Sequence, residues 1–245
     1  MTSPILVALD LDSAEEAVRL AAALEPAVGG FKIGLELLMG PGPGTIGALV
    51  RLGKPVFVDA KLHDIPTTVH RAARQIGRAG ARWVTVHASG GAAQLEAAAE
   101  GLAEGAGDGQ AGVLAVTVLT SLTDTDLSMT GVVGTPGKQS SRLAKLAAAH
   151  GAEGVICSVK ELGVIASVAP SLLRVTPGIR PQGIDADDQK RVATPQEAIS
   201  RGADWLVIGR AITRAADPRR AAELINESLQ TDAVVYARSH LDREE

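Results

Sequence analysis

The sequence predicts a single (β/α)8 barrel, and three observations carry that expectation. Short aliphatic runs recur from one end to the other, amphipathic stretches rich in Ala and Leu separate them, and no Pro-, Gly- or Ser-rich linker divides the chain. The runs occupy residues 5–9, 31–33, 56–60, 83–87, 113–118, 154–158, 172–176 and 205–208. Most are rich in Val and Ile, the composition of parallel strands buried on both faces. Helical patterns fall at residues 13–24, 67–79, 92–102, 140–150, 160–168 and 195–201. Repeating strand-then-helix units over 245 residues match one closed barrel of roughly 250 residues. An open doubly wound sheet would carry a Gly-rich dinucleotide loop after its first strand; Asp10-Leu11-Asp12 stands there instead.

Local signals support the elements in turn. Ser13 followed by Glu16 is a capping-box signature for the first helix. Gly40-Pro41-Gly42-Pro43-Gly44 reads as a loop before a helix. Gly80-Ala81, Gly151-Ala152 and Gly202-Ala203 have the pattern of helix C-caps feeding the next strand. Asp217-Pro218 places an N-cap and a first-turn proline at the start of the last helix. Residues 120–138 and 177–192 are longer loops after strands five and seven, on the face where barrel enzymes carry catalytic loops and lids. The domain spans residues 1–245, with a polar tail from about Gln230 expected to be peripheral.

Composition narrows the function. Hydrophobic residues are 46% of the chain and aromatics 2%, so the core must be aliphatic. A net charge of −4 offers no basic footprint for nucleic acid, and so few aromatics make no stacking platform for single strands. An anionic ligand must therefore be held by local groups. Cys157, the one cysteine, excludes an internal disulfide and reads as an inert thiol in a buried strand. With no apolar run of about 20 residues and no targeting pattern at Met1-Thr2-Ser3-Pro4, a cytoplasmic enzyme without membrane association is expected.

Polar residues collect at the C-terminal ends of the strands. Strand one ends in Asp10, strand two carries Lys32, strand four ends in His87, and strand five ends in Thr117 and Thr120. Strand three runs into Asp59-Ala60-Lys61-Leu62-His63-Asp64-Ile65-Pro66, where alternation puts Asp59 and Lys61 on one face. Ionised groups at the end of an apolar strand are costly unless paired or used. One reading is a salt bridge closing the barrel mouth, with Asp64 an ordinary N-cap before Pro66. The other adds Lys32 to make an alternating array of Lys32, Asp59, Lys61 and Asp64, in which flanking carboxylates favour the ammonium form of Lys61. A fixed ammonium suits a reaction that creates a carbanion and then protonates it.

A second cluster joins Thr176-Pro177-Gly178-Ile179-Arg180, then Gln189, with Gly209-Arg210 after strand eight. Barrels often hold a phosphate at these two loops, on backbone N–H groups and a helix N-terminus. Gly209 would admit the backbone closely, and Arg180 and Arg210 offer planar forks of donors; Arg180 also reads as a surface arginine. His63, His70 and His87 match no metal-ligand spacing, so no metal is expected. Trp83 and Trp205 begin strands and read as barrel-floor residues.

Taken together, these blocks resemble the orotidine 5′-monophosphate decarboxylase family. Residues 59–68 match its Asp-x-Lys-x-x-Asp-Ile-Pro-x-Thr signature, and blocks at residues 7–10, 31–34, 86–91, 116–121, 175–180 and 207–210 follow in the family's order. The resemblance implies cofactor-free conversion of orotidine 5′-monophosphate to uridine 5′-monophosphate and CO2, the last step of pyrimidine nucleotide synthesis. It makes Lys61 the proton donor to C6, with Asp59 near the leaving carboxylate and Lys32 completing the network. It assigns Asp10 and Lys32 to the ribose, Thr120 to the base, and Arg180, Gln189, Gly209 and Arg210 to the phosphate. It also implies a homodimer in which Asp64 and Thr68 reach the neighbouring subunit's site. Two alternatives remain at this level: a Mg2+-dependent sugar-phosphate decarboxylase or aldolase of the same superfamily, and a non-catalytic nucleotide-binding barrel.

Overall fold

The computed structural model describes residues 3–181 and 193–241, with side chains described through residue 230. Eight parallel strands close on themselves in chain order: β1 (Ile5–Leu9), β2 (Gly30–Ile33), β3 (Val56–Leu62), β4 (Trp83–His87), β5 (Gly112–Val116), β6 (Ala152–Ile156), β7 (Leu173–Thr176) and β8 (Trp205–Ile208), with β8 pairing β1. The barrel read from the aliphatic runs is thus the barrel observed.

Helices follow the strands: α1 (Ala14–Leu24), α2 (Leu35–Met39), α3 (Gly44–Val50), α4 (Pro66–Arg78), α5 (Ala92–Ala106), α6 (Asp124–Met129), α7 (Pro136–Ala149), α8 (Leu162–Val168), α9 (Pro195–Ser200), α10 (Arg210–Thr213) and α11 (Pro218–Leu241). Ser13 Oγ accepts from Glu16 N, the forward half of the expected capping box. Arg220 N donates to Asp217 Oδ1, so Asp217 does cap the last helix.

One expectation changes. Residues 120–138 are not wholly a loop: α6 lies inside them, started by a reciprocal capping box between Thr123 and Asp126, and α7 begins at Pro136 rather than Ser140. Thr135-Pro136 is itself a start signal, an N-cap before a first-turn proline. The α11 backbone continues through residue 230 to Leu241. Among the described residues, no helix is long and apolar enough to cross a membrane.

Alternation along the strands sorts the core into two layers. Outward residues such as Ile5, Val7, Phe31, Val58, Val84 and Val86 pack under the helices. Inward residues Leu6, Phe57, Trp83, Leu114 and Val175 form a plug inside the barrel, against which Trp205 packs. The Trp83 and Trp205 rings meet edge-on, 5.5 Å apart, as the barrel floor. Asp59 lies two residues beyond Phe57, so the charged side chains stand on top of this plug. Cys157 is fully buried, and burial pushes its thiol up to about 12, consistent with the inert thiol expected.

One helix pair bears directly on the site. A Cβ on Gly101 would meet His70 O at 2.2 Å, and one on Gly105 would meet Arg74 O at 2.1 Å. Helices α4 and α5 therefore touch backbone to backbone, which any larger residue would prevent. Helix α4 starts directly after Asp64-Ile65, and α5 carries Gln94, so this close approach sets the distance between them.

Candidate active site

The site begins with an irregularity in β3. Val58 pairs with Val84 and Leu62 with Val86, so Asp59, Ala60 and Lys61 stand opposite the single residue Thr85. This is a bulge in a parallel pair, the kind of device that re-aims side chains next to active sites. Lys61 has a φ of 47°, the one positive φ at a non-glycine among the described residues. Such a left-handed turn costs a side-chain-bearing residue roughly 1–2 kcal/mol and persists where its surroundings hold it. Simple alternation, from which the shared face of Asp59 and Lys61 is read, is therefore incomplete. The two side chains do meet, but through a bulge.

Lys61 Nζ lies 2.6 Å from Asp59 Oδ2, with the Asp59 side chain 16% and the Lys61 side chain 34% exposed. Lys32, on neighbouring β2, is buried and donates to Asp10 Oδ1 at 2.6 Å. The charges form two ion pairs, Asp10–Lys32 and Asp59–Lys61, so within one chain Lys32 pairs with Asp10 and Asp64 belongs to neither pair. Asp10 is the open end, its side chain 57% exposed. A Cβ on Gly34 would come within 3.3 Å of Lys32 Nζ, so the missing side chain leaves that ammonium its place.

Asp64 stands apart. Residues 63–68 are all exposed, and Asp64 Oδ1 accepts from its neighbour Ile65 N at 2.6 Å. Thr68 lies on the same exposed first turn of α4. The backbone here is held by Gln94, a residue to which the sequence reading assigned no role. Gln94 is buried, donates through Nε2 to His87 O at 2.7 Å, and accepts at Oε1 from Asp64 N at 3.1 Å. A Gln inside a helical pattern carries no signal that both ends of its amide are used, so only its packing identifies it.

The His87 ring sits beside that of His63, centroids 5.3 Å apart. Burial, then the neighbouring His63 and Lys61, hold His87 below the ordinary histidine value of 6.5, opposed by Asp59. The neutral ring is thus preferred in the folded protein, whereas the unfolded chain takes up a proton as the pH falls through 6.5. Extra proton binding by the unfolded state means stability rises with pH. We expect the melting temperature to fall on acidification from about pH 8 to about pH 5, and to fall less in His87→Asn. A variant with the same acid sensitivity as wild type would show that His87 does not carry the effect.

At the opposite side of the mouth, Arg180 is buried and donates to Ile179 O at 2.9 Å. The β7 loop is pinned at its base, where Arg180 N donates to Ala193 O at 2.9 Å and Ala193 N to Gly178 O at 3.2 Å. Gly178 has a φ of 78°, which suits glycine at this turn. Gln189 lies outside the described residues. Gly209 is the N-cap of α10, and a Cβ on it would lie 3.8 Å from Asp10 Oδ2, so the β8 end adjoins the Asp10–Lys32 pair. Arg210 opens that helix. Thr120 is half-buried in the turn after β5, near Lys160 and Glu161. Thr117 is structural, buried and bonded to Ile156 O at 2.9 Å.

Known proteins resemble this chain in sequence and fold. A family model described as the orotidine 5′-phosphate decarboxylase / HUMPS family matches residues 3–225. An orotidine 5′-phosphate decarboxylase of Anaeromyxobacter sp. (strain K) is 47% identical over 226 residues, 92% of this chain and 97% of that protein. One of Dichelobacter nodosus is 48% identical over 229 residues, covering 93% of this chain and 99% of its own length. Among solved structures, orotidine 5′-phosphate decarboxylase from Lactobacillus acidophilus superposes with a TM-score of 0.82 at 38% identity, covering 93% of this chain and 99% of that one.

Proposed function

The chain belongs to the orotidine 5′-phosphate decarboxylase / HUMPS family, and from that premise we propose that it decarboxylates orotidine 5′-monophosphate to uridine 5′-monophosphate and CO2 with its own side chains. That activity is a carboxy-lyase reaction and the last step of pyrimidine nucleotide synthesis. The observation that carries the reading is the Asp59–Lys61 pair, 2.6 Å apart, on top of the aliphatic plug and beside Asp10–Lys32. It supplies a fixed cation where charge must develop.

In the reaction the bond from C6 to the carboxylate breaks, CO2 leaves, and the electron pair stays on C6. The ammonium of Lys61 stabilises that pair and then delivers a proton to it; water returns the proton to Lys61. Stabilisation that grows with the charge accelerates the step rather than merely tightening binding. Asp59 fixes the Lys61 side chain and lies near the departing carboxylate. Asp10 and Lys32 hold the ribose hydroxyls, Thr120 the base, and Arg180, Gln189, Gly209 and Arg210 the phosphate. The phosphate is remote from C6, so its binding energy serves to organise the site.

The functional unit in this reading is a homodimer, with Asp64 and Thr68 of each chain completing the other's site. Six successive exposed residues, 63–68, including Ile65 at 67% exposure, support it. We place the enzyme in the cytoplasm, where its one buried thiol needs no oxidising partner.

The test is a spectrophotometric assay with orotidine 5′-monophosphate, in the presence and absence of EDTA. Turnover should appear and be unaffected by the chelator. Activity abolished by EDTA, or seen only with a ketose phosphate, would instead assign a metal-dependent sugar-phosphate reaction. Tight binding of uridine 5′-monophosphate without any change in substrate absorbance would leave a non-catalytic barrel.

A further inference from the structure

We infer that Thr85 is a positioning residue of this site, whose hydroxyl holds both the Asp59 carboxylate and the turned backbone of Lys61. The inference rests on the decarboxylase reading above and deepens it. Thr85 is fully buried in the middle of β4, two residues above the floor residue Trp83. Its hydroxyl donates to Asp59 Oδ1 at 2.9 Å and accepts from Lys61 N at 2.9 Å. Asp59 Oδ2 takes Lys61 Nζ at 2.6 Å, which closes a ring of three residues: Thr85, Asp59 and Lys61.

Each bond in the ring has a separate consequence. In the bulge, Lys61 N cannot follow the regular ladder, and a buried backbone N–H must find a partner; the Thr85 hydroxyl is that partner. The same bond pins Lys61 at its φ of 47°, from which its side chain returns to Asp59. The donor side of the hydroxyl holds one carboxylate oxygen while the ammonium holds the other, so the carboxylate plane cannot turn. A hydroxyl combines donor and acceptor in one atom, which valine of the same shape does not. Thr85 needs no contact with the substrate to act in this way; it works through Asp59 and Lys61.

The test compares wild type with Thr85→Val, Thr85→Ser and Thr85→Ala in steady-state turnover of orotidine 5′-monophosphate and in binding of uridine 5′-monophosphate. Misplacing a reacting group by about 1 Å lowers rate on the order of 10²-fold. Thr85→Val should therefore lose kcat by about 10²-fold, with KM and product affinity changed by no more than about threefold. Thr85→Ser keeps the hydroxyl and should recover kcat to within about fivefold of wild type. A Thr85→Val enzyme with wild-type kcat, a loss confined to KM, or a Thr85→Ser enzyme as impaired as Thr85→Val would each overturn the assignment. Should Thr85→Val fail to fold, the Ser and Ala variants decide: equal losses overturn the role, and a loss in Ala relieved in Ser supports it. A wild type that does not turn over this nucleotide sinks the decarboxylase reading, and the role of Thr85 falls with it. An active wild type with an unaffected Thr85→Val removes the role of Thr85 alone.

Discussion

Replacing Lys61 by Ala is expected to abolish turnover while leaving uridine 5′-monophosphate binding largely intact. In the proposed mechanism the substitution removes both the charge that stabilises the developing carbanion and the acid that protonates it. Electrostatic groups of this kind are worth about 10²–10³ in rate, and general acids about 10²–10⁴. If the two contributions multiply, the loss is at least about 10⁴-fold, or roughly 5.5 kcal/mol of barrier. Binding should survive because the residues proposed to hold the ribose and phosphate, Asp10, Lys32, Arg180 and Arg210, are on other strand ends. Single-turnover absorbance measurements with titration of the product separate the two quantities. A Lys61→Ala enzyme with substantial turnover would remove Lys61 from the chemistry. The backbone offers an independent check. Lys61→Gly should be as inactive as Lys61→Ala but melt higher, by about 2–4 °C for each kcal/mol of relieved strain, since glycine adopts a positive φ freely.

The second large effect concerns Asp64. Asp64→Ala is expected to be severely impaired although, within one chain, Asp64 makes no hydrogen bond or ion pair with Asp59 or Lys61 and its carboxylate bonds its own neighbour, Ile65 N. Mixing it with Lys61→Ala should restore activity if sites are shared. In a mixed dimer, one site carries both lesions and the other carries neither. Random exchange makes half the dimers mixed, so activity should return to about a quarter of wild type per total protein in a two-fold symmetric dimer. Co-expression with differently tagged chains yields the mixed dimer for assay. Demonstrated heterodimers without recovered activity would confine Asp64 to its own barrel. Gln94 bears on the same prediction, because it fixes the Asp64 backbone against His87 O from within the chain. The loop is therefore held in position within the single chain.

Much of the site was legible as residue types at strand ends. Asp10, Lys32, Asp59, Lys61, Arg180 and Arg210 are polar groups where a parallel barrel should have a mouth, and the signature around residues 59–68 identifies the family. What could not be read was how these groups pair. Lys32 pairs with Asp10 on the strand before it, not with Asp59 on the strand after, and nothing in the spacing chooses between them. Thr85 escaped notice for a related reason. In Trp83-Val84-Thr85-Val86-His87 it is one more β-branched residue suited to a strand. Its role depends on a bulge in the adjacent strand, and no local pattern announces that.

By itself, the sequence determined the barrel, its eight strands, the helix caps and the ring of polar residues at the mouth. Those features follow from periodicity and capping within a few neighbouring residues, and such local preferences are written in order along the chain. Only the tertiary structure decided the ring of Thr85, Asp59 and Lys61, the Gln94 clamp on Asp64 and the backbone contact of α4 with α5. The hydrogen bonds of Thr85 to Lys61 and Asp59 and of Gln94 to Asp64 join residues 24, 26 and 30 positions apart. Whether such residues meet depends on the register between strands and the distance between helices. A bulge of two extra residues or a glycine at a crossing sets both, and neither is fixed until the barrel has closed.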